Sequence, residues 1–368
     1  MKITKVGIIG CGAISGIYLK NLTGLFRMVE VAAVADLIPE RSAAKAAEFN
    51  IPRSCTPEEL LADPEIEIVV NLTIPKVHAE ISLAALNAGK HVYLEKPLAV
   101  NRDDGRKVIE LARKKGLMVG CAPETFFGGG IQTCRKLIDD GWIGKPIAAT
   151  AFMMCHGHES WHPDPEFYYK AGGGPMFDMG PYYLTALVNL LGPADSVMGC
   201  TRVTFPTRTI TSAPKFGTVI DVDVPTHVAG LINYSNGAAG TIITSFDTWG
   251  ARLPRIEIYG TEGTLSVPDP NSFGGPVSYL NKVKGSEWKE MPMPFGYTQN
   301  TRGIGVADMA RAAASGRAHR AHGDMAFHVL DIMQGFHDSS DTGKLWKLES
   351  TCQRPAPMPM GLIDGMLD

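Results

Sequence analysis

The stretch Val6-Gly7-Ile8-Ile9-Gly10-Cys11-Gly12-Ala13-Ile14-Ser15-Gly16 joins a short apolar run to a segment with a helical pattern, residues 14–25. Gly10 allows a tight turn from strand to helix, and Gly12 leaves room for a pyrophosphate to approach the backbone. The amide groups at the start of the helix, around Ala13 and Ile14, favour an anion at that position. The spacing therefore predicts a dinucleotide-binding strand–turn–helix unit.

An acidic residue, Asp36, ends the next apolar run about 20 residues after the glycines. Its carboxylate is expected to accept hydrogen bonds from the adenine ribose hydroxyls and to repel a 2′-phosphate, which favours NAD over NADP. Arg41, near the start of the following helical pattern, would soften that preference, so NADP stays an alternative. A second alternative is that the glycines form an ordinary turn and that Asp36 is simply exposed.

Around this unit, the first third of the chain alternates short apolar runs with helical patterns. The runs are residues 6–9, 31–35, 66–72 and 91–94, and the helical patterns are residues 14–25, 41–49, 78–88 and 102–115. Short buried strands separated by helices pair in parallel through right-handed crossovers. The first third therefore predicts an α/β fold with a doubly wound parallel sheet.

The pattern changes near residue 123. Residues 197–279 are dominated by strand-type segments with turn signals such as Asn236-Gly237, and helical patterns return at 303–315 and 323–339. The length of 368 residues fits two domains. We therefore expect a nucleotide-binding domain over residues 1–123, followed over residues 124–368 by an α+β domain with a largely antiparallel sheet.

The composition excludes several classes of partner. Lys plus Arg number 35 and Asp plus Glu number 38, a net charge of −3 that argues against nucleic acid or an anionic membrane surface as the partner. The longest stretch without Asp, Glu, Lys or Arg, residues 224–246, is interrupted by Pro225 and by a turn at 235–237, so no membrane span is predicted. Seven scattered cysteines without a Cys-x-x-Cys pair, and no signal-peptide pattern before the first strand, predict a cytoplasmic protein.

A lysine follows the apolar run 91–94, in the sequence Glu95-Lys96-Pro97. This is the edge at which open α/β sheets bind ligands, and Pro97 favours an extended backbone at Lys96. Burial beside a bound ligand is expected to lower the pKa of Lys96, which would then orient or protonate a substrate oxygen. The alternative is a surface lysine in a turn.

A possible partner for this lysine lies in Gly172-Gly173-Gly174-Pro175-Met176-Phe177-Asp178-Met179-Gly180-Pro181-Tyr182-Tyr183. Asp178 and Tyr182 are four residues apart and would project from one face of a helix, although Pro181 predicts a kink or a restart there. A phenol beside an ammonium group has a lowered pKa, which makes Tyr182 a candidate acid and base with Lys96 as its electrostatic partner. The alternative is that Tyr182 and Tyr183 are packing residues.

Together, these motifs resemble the Gfo/Idh/MocA oxidoreductase family. The residues that carry the resemblance are Gly10-x-Gly12, Asp36, Thr73-Ile74-Pro75-x-x-His78, Glu95-Lys96-Pro97, and Gly172-Gly173-Gly174 followed by Asp178-x-Gly180-x-Tyr182. The resemblance implies an N-terminal Rossmann domain and a second domain whose open sheet often forms the contact of a homo-oligomer, a dimer or a tetramer. It also implies NAD(P)-dependent oxidation at a sugar or polyol carbon.

The resemblance also implies roles for individual residues. Lys96 would touch both the nicotinamide and the substrate hydroxyl, and Asp178 would bind substrate hydroxyls. Glu95 would lie by the nicotinamide ribose, and the cofactor cleft would be lined by Thr73, Pro75 and His78. The chain departs from the family at Tyr182, where many members have the histidine that is proposed as the base.

The stretch His156-Gly157-His158-Glu159-Ser160-Trp161-His162-Pro163 is rich in potential ligands. Its spacing matches no standard zinc pattern, so we expect no metal, although a metal site stays an alternative. We expect a substrate-pocket loop, in which Trp161 offers an apolar face to a sugar ring while His158 and His162 bond its hydroxyls. A purely structural role is the remaining alternative.

Three functions therefore stay open. The first is an NAD(P)-dependent dehydrogenase that acts on a hydroxyl carbon of a sugar, glycoside or polyol. The second is a glycoside-cleaving enzyme that oxidises a sugar carbon transiently and recycles NAD in place. The third is an NAD-binding protein without catalysis, against which the joint presence of Lys96, Asp178 and Tyr182 argues.

Overall fold

Six parallel strands form the first sheet of the computed structural model, which describes residues 3–368. They are β1 (Thr4–Ile9), β2 (Val29–Ala35), β3 (Ser54–Cys55), β4 (Ile68–Asn71), β5 (His91–Leu94) and β6 (Val119–Cys121). Their order in the sheet is β3-β2-β1-β4-β5-β6, and every neighbouring pair is parallel. The strand order reverses between β1 and β4, which is where a doubly wound sheet binds its ligand. The predicted doubly wound sheet is confirmed.

Helices connect these strands and cover both faces of the sheet. They are α1 (Ser15–Gly24), α2 (Pro39–Phe49), α3 (Pro57–Ala62), α4 (His78–Asn87) and α5 (Arg102–Lys115). Local sequence explains where they begin and end. Asn101 caps α5 by accepting the Asp104 N–H at 2.8 Å, and Gly116 ends that helix with a left-handed φ of 65°.

Nine strands form the second sheet. They are β7 (Pro146–Met154), β8 (Ala194–Arg202), β11 (His227–Tyr234), β12 (Ala239–Ser245), β13 (Ile256–Gly260), β14 (Gly263–Val267), β15 (Ser278–Asn281), β16 (Lys289–Glu290) and β17 (Trp346–Lys347), while β9 (Thr207–Thr209) and β10 (Val219–Asp221) pair separately. Their order is β16-β15-β14-β13-β7-β12-β11-β8-β17, and only β7 and β12 pair in parallel. The largely antiparallel sheet is confirmed, with the turn Asn236-Gly237 joining β11 to β12.

Helices cover one face of the second sheet. They are α6 (Gly129–Asp139), α7 (Gly174–Asp178), α8 (Gly180–Leu191) and α10 (Gly323–Thr342), whereas α9 (Ile304–Ser315) packs on the first sheet beside β6. Helix α10 lies so close that a Cβ on Gly230 would come within 2.2 Å of the Phe336 ring. The opposite face leaves apolar side chains such as Met198 and Leu231 exposed.

Hydrogen bonds connect the end of β6 and the residues after it to the segments that begin α9 and α10. The Cys121 N–H donates to the carbonyl of Ala321 at 3.0 Å, and the buried Glu124 carboxylate accepts the N–H groups of Gly303 and Gly305 at 2.9 and 2.7 Å. These contacts hold the start of α9 beside the carboxyl edge of the first sheet. Across residues 3–368, none of the helices combines the length and the apolar character that crossing a bilayer requires.

Candidate active site

The glycine turn between β1 and α1 has the shape that a phosphate cradle needs. Gly10 has a φ of 103°, and a Cβ there would lie 2.6 Å from the backbone of Leu72, so no other residue fits without displacement. At Gly12, by contrast, the space that a Cβ would occupy is open. No side chain caps the start of α1, which follows Ala13 and Ile14. The N–H groups and the positive end of the helix dipole are therefore available to an anion there.

Asp36 connects the end of β2 to this turn. Its Oδ2 accepts the Cys11 N–H at 2.7 Å, and its Oδ1 accepts the Ile38 N–H at 2.9 Å. The carboxylate is partly exposed, and each oxygen keeps a lone pair for a further donor. The residues around the turn thus fit a dinucleotide with a free ribose diol. Arg41 lies exposed in the first turn of α2.

The loop after β4 is fixed by His78, whose ring is completely buried. Its Nδ1 lies 2.7 Å from the carbonyl of Pro97, and its Nε2 lies 3.0 Å from the carbonyl of Thr73. Burial lowers the pKa of His78. The ring thus lies between the loops after β4 and β5 and joins them, and its place in the lining of the cofactor cleft stays a prediction. Pro75 lines a cavity of about 480 Å³, bounded on its other side by residues 164–172.

Glu95 lies under the same edge of the sheet and is buried. Its Oε1 accepts the Tyr18 hydroxyl at 2.8 Å, and its Oε2 accepts the Lys96 N–H at 3.1 Å. Tyr18 belongs to α1, so this carboxylate couples the glycine-turn helix to the lysine loop. The bond could not be expected from the sequence, where the two residues are 77 positions apart.

A chain of polar contacts joins Lys96 to the second domain. The Lys96 Nζ lies 2.8 Å from Asp178 Oδ1 and 2.7 Å from the Asp178 carbonyl, and Asp178 Oδ2 lies 3.2 Å from His158 Nε2. The side chains of Lys96 and Asp178 are 16% and 15% exposed, so the pair is largely shielded and open on one side. Three predicted site residues from distant segments therefore meet at one point.

The expectation of a lowered pKa for Lys96 is wrong. Burial by itself lowers the pKa of this ammonium, but the Asp178 carboxylate, through its charge and its hydrogen bond, reverses the effect and raises the pKa above its usual range. Burial opposes the ionisation of Asp178 as well, yet the Lys96 charge outweighs it and holds the pKa of Asp178 at about 2. Lys96 is therefore a cation at neutral pH.

Tyr182 reaches this cluster from the following helix. The Lys96 Nζ lies 5.2 Å from the centroid of the Tyr182 ring. Asp178 and Tyr182 do not share one helical face as the spacing predicted, because the helix breaks at Met179, between α7 and α8. The predicted restart near Pro181 is therefore present, and it still leaves both side chains beside Lys96.

The three histidines in residues 156–162 contact different partners. His156 stacks on the Trp249 ring, with centroids 3.5 Å apart, whereas His158 bonds Asp178 and the Nδ1 of His162 accepts the Asp164 N–H at 3.0 Å. Within the described part of the chain, no three metal-ligating side chains converge. Trp161 packs edge-on against His158 at 5.1 Å and is 61% exposed, which leaves its indole available to a ligand.

The sequence did not indicate the buried charges behind His158. The Arg208 Nη1 donates to Glu159 Oε1 at 2.8 Å, and its Nη2 bonds Asp247. The Tyr169 hydroxyl donates to Glu159 Oε2, and the hydroxyl oxygen of Tyr169 accepts the backbone N–H of His158 at 3.3 Å. Arg208 lies on a short strand in a turn-rich region, where no local signal distinguishes it.

A second unpredicted aromatic residue, Tyr168, packs on the other side of His158. Its ring centroid lies 4.1 Å from that of His158, and burial raises its pKa to about 12. The phenol therefore stays protonated at neutral pH. It contributes a fixed wall and a hydroxyl to the same cluster.

These features define a class of protein: a two-domain oxidoreductase with a dinucleotide-binding sheet and a polar cluster at its carboxyl edge. A family model described as the NAD-binding Rossmann fold of an oxidoreductase family matches residues 4–122. The C-terminal domain model of the same family matches residues 131–266. The chain belongs to the Gfo/Idh/MocA family.

Relatives within this family are sugar and inositol dehydrogenases and reductases. The chain is 32% identical over 243 residues to a 1,5-anhydro-D-fructose reductase of Ensifer adhaerens, which covers 64% of this chain and 67% of the relative. It is 34% identical over 167 residues to the inositol 2-dehydrogenase of Salmonella typhimurium, which covers 44% of this chain and 48% of the relative.

Solved structures share the fold. A levoglucosan dehydrogenase in complex with NADH superposes with a TM-score of 0.80 at 21% identity, covering 95% of this chain and 100% of that one. An NAD-binding oxidoreductase from Klebsiella pneumoniae superposes with a TM-score of 0.81, also at 21% identity, over 94% of this chain and 99% of that one. At this identity, the likeness concerns the fold.

Proposed function

We propose that this protein is an NAD-dependent dehydrogenase that transfers hydride between nicotinamide and a hydroxyl carbon of a sugar, glycoside or polyol. The observation that carries the proposal is the convergence of Lys96, Asp178, His158 and Tyr182 beside the carboxyl edge of the first sheet. Relatives named for inositol, levoglucosan and anhydrofructose support a carbohydrate-like substrate.

The cofactor assignment rests on the glycine turn and on Asp36. The open space at Gly12 and the uncapped start of α1 suit a pyrophosphate, and the Asp36 carboxylate suits a ribose diol and disfavours a 2′-phosphate. Thr73 and Pro75, in the loop after β4, and Glu95, which accepts the Lys96 N–H, would line the cofactor between this turn and Lys96. Nicotinamide, when bound, accepts or returns a hydride at its C4 carbon.

The side chains of the site have different roles at the substrate hydroxyl. Tyr182 takes the hydroxyl proton in the oxidative direction and returns it in the reverse direction. Lys96 stays protonated and stabilises the negative charge that develops on the oxygen. Asp178, His158 and the exposed indole of Trp161 hold the neighbouring hydroxyls and the ring face, and His162 lies beside Trp161 with centroids 5.4 Å apart.

The two predicted domains would have different roles in this reaction. Residues 1–123 would hold the cofactor, and residues 124–368 would supply the substrate groups and, through the open face of the second sheet, the contact of a homo-oligomer. The cytoplasmic location inferred from the scattered cysteines stays a prediction.

A substrate panel tests the proposal. We expect reduced nicotinamide to appear with NAD, and more slowly with NADP, on at least one of a set of sugars, glycosides and inositols. In Lys96→Met the rate should fall about 10²–10⁴-fold while NAD still binds, because only the charge at the reacting oxygen is lost. The exposed Lys107→Met on α5 is the matched control and should keep full activity.

Two results would contradict the proposal. Glycoside cleavage without added NAD, by protein that retains its cofactor, would favour transient oxidation with cofactor recycling. Tight NAD binding without turnover of any member of the panel would favour a non-catalytic NAD-binding protein.

A further inference from the structure

A cavity of about 480 Å³ lies between the loop after β4 and the chain that joins β7 to α7. This volume falls within the range of roughly 300–1,000 Å³ that is typical of small-molecule sites. Ile74 and Pro75 form one wall, and the other wall includes Phe167. The described lining residues come from these two segments and from Lys215, and so lie outside the polar cluster around Lys96.

Both walls of this cavity offer apolar surface. The side chains of Ile74 and Phe167 are 64% and 50% exposed, although both are large and apolar. Water is displaced from such surface when an apolar group covers it, which favours binding. A branched side chain on one wall and an aromatic ring on the other suit a flat, apolar group between them.

The charges around the cavity nearly balance. Its charged lining residues are Lys76, Lys170, Lys215, Asp164 and Glu166. The Lys215 Nζ lies 2.6 Å from Asp164 Oδ1, and the Lys170 Nζ lies 3.0 Å from Asp223 Oδ2. Two of the three lysines therefore already have a counterion. The cavity suits an uncharged ligand better than a phosphate or a carboxylate.

A run of ring contacts joins the cavity to the polar cluster. The Phe167 ring centroid lies 4.0 Å from that of Tyr168, and the Tyr168 centroid lies 4.1 Å from that of His158. A parallel run passes through His162, which lies 5.5 Å from Phe167 and 5.4 Å from Trp161. A sugar ring bound at the cluster would therefore have an aromatic path from its edge into the cavity.

The glycines of the sequence 172–174 fix the wall that contains Phe167. Gly172 has a φ of 86°, and a Cβ there would lie 2.6 Å from Val100 Cγ1, just after the loop that carries the site lysine. A Cβ on Gly173 would lie 2.6 Å from the carbonyl oxygens of Phe167 and Tyr168. The absence of side chains thus lets this wall pack against the lysine loop.

We propose that the cavity is a second subsite that binds an uncharged aromatic aglycone, the group bonded to the sugar, so that the substrate is an aryl glycoside. The proposal rests on the proposed function, in which hydride leaves a sugar carbon beside Lys96. The sugar would lie at the polar cluster, and its aglycone would lie between Ile74 and Phe167. The aglycone takes no part in the hydride transfer, and the glycosidic bond stays intact.

Paired substrates test this subsite in the full-length protein with NAD. We use the phenyl and methyl glycosides of glucose, galactose and mannose. For the sugar that is oxidised, kcat/KM should be about 10–100-fold higher for the phenyl glycoside, because a methyl group does not cover the apolar walls. Phe167→Ala and Ile74→Ala, one on each wall, should each lower this phenyl-to-methyl ratio about three- to tenfold. Trp288→Ala, next to the edge strand β16, is the matched control and should keep the parent ratio.

Three results would overturn the subsite and leave the proposed dehydrogenase intact. The first is an equal kcat/KM for both members of each pair, and the second is turnover of inositols alone. The third is a Kd for NAD that rises in Phe167→Ala as much as the ratio falls, because the cavity would then hold the cofactor. If Phe167→Ala does not fold, Ile74→Ala takes its place.

Binding decides the subsite if no glycoside is oxidised, an outcome in which the proposed function itself fails. Saturation-transfer NMR with NAD present measures the contact of the phenyl protons with the protein. The phenyl glycosides should receive saturation from the parent and less from Phe167→Ala. Equal transfer in the two proteins, or none with the parent, would overturn the proposal.

Discussion

Single side chains at this site act through their neighbours, and Asp178 is the clearest case. Its carboxylate accepts from Lys96 and His158, and it raises the pKa of the lysine that burial by itself would lower. The chemistry of Lys96 therefore depends on a residue 82 positions away. Without this partner, burial would lower the pKa of the lysine.

Asp178→Asn tests that dependence. The amide keeps the shape but removes the charge, so burial acts on Lys96 against weaker opposition and its pKa falls. We expect the rate to drop about 10²–10³-fold at neutral pH and to decline further toward alkaline pH as Lys96 loses its proton. Rates measured from pH 6 to 10 check this, with Asp103→Asn on the exposed face of α5 as the control. A loss that is constant with pH would contradict it.

At the scale of elements, the site is built from loops that buried bonds hold in place. The segment from His158 to Tyr169 has little regular structure, and it is anchored by Arg208, whose side chain is 4% exposed. Arg208 neutralises two buried carboxylates, Glu159 and Asp247. An arginine on a separate short strand thus determines where His158 meets Asp178.

We expect Arg208→Met to lower the free energy of unfolding. Two buried carboxylates would be left without a cation, and breaking a buried pair in this way costs about 3–5 kcal/mol in the free energy of unfolding. We also expect KM for the substrate to rise, because the anchored loop carries His158 and Trp161, which we propose to bind the substrate. Urea unfolding and steady-state kinetics measure both. Unchanged stability would refute the anchoring role, and Arg106→Met serves as the surface control.

At the scale of the molecule, Glu124 couples the first domain to the start of α9. Burial raises its pKa to about 7, although the N–H groups of Gly305 and Gly303 favour the charged form. An unfolded glutamate titrates near pH 4.3. Between these values the folded chain holds a proton that the unfolded chain releases, so stability falls as pH rises from about 4.3 to 7 and then levels off.

Glu124→Gln removes this proton and its pH dependence. We expect the free energy of unfolding of the variant, relative to the parent, to increase by about 3 kcal/mol between pH 4.5 and pH 8. Denaturant unfolding at the two pH values measures it, and Glu110→Gln on α5 should track the parent at both. A difference that does not change with pH would show that Glu124 titrates normally.

The face of the second sheet that carries Leu231 and Met198 is a candidate contact between copies of the chain. Leu231 on β11 and Met198 on β8 lie opposite each other, and they are 53% and 42% exposed. Apolar side chains grouped on one sheet face are typical of a protein interface. We expect a homo-oligomer in solution, and Leu231→Lys should dissociate it, because two like charges would meet across the contact. Light scattering at several concentrations measures the molar mass of the parent and the variant. A monomeric parent would contradict the predicted oligomer contact.

Local sequence predicted much of this architecture. The alternation of apolar runs with helical patterns anticipated the parallel sheet, and Asn236-Gly237 anticipated the turn between β11 and β12. The break between α7 and α8 was foreseen only approximately, near Pro181, because backbone geometry at Met179 depends on packing. Short elements such as α3 were missed, although its capping box at Thr56 is a readable signal.

The sequence by itself determined the fold class, the glycine turn with Asp36 and the candidates Lys96, Asp178 and Tyr182. These depend on periodicity and spacing, which neighbouring residues set. Only the tertiary structure decided that the pKa of Lys96 is raised, that the His78 ring lies between two backbone carbonyls, and that Arg208 holds Glu159 and Asp247. The physical reason is that charge, burial and hydrogen bonding act through space, between residues that folding brings together from distant parts of the chain.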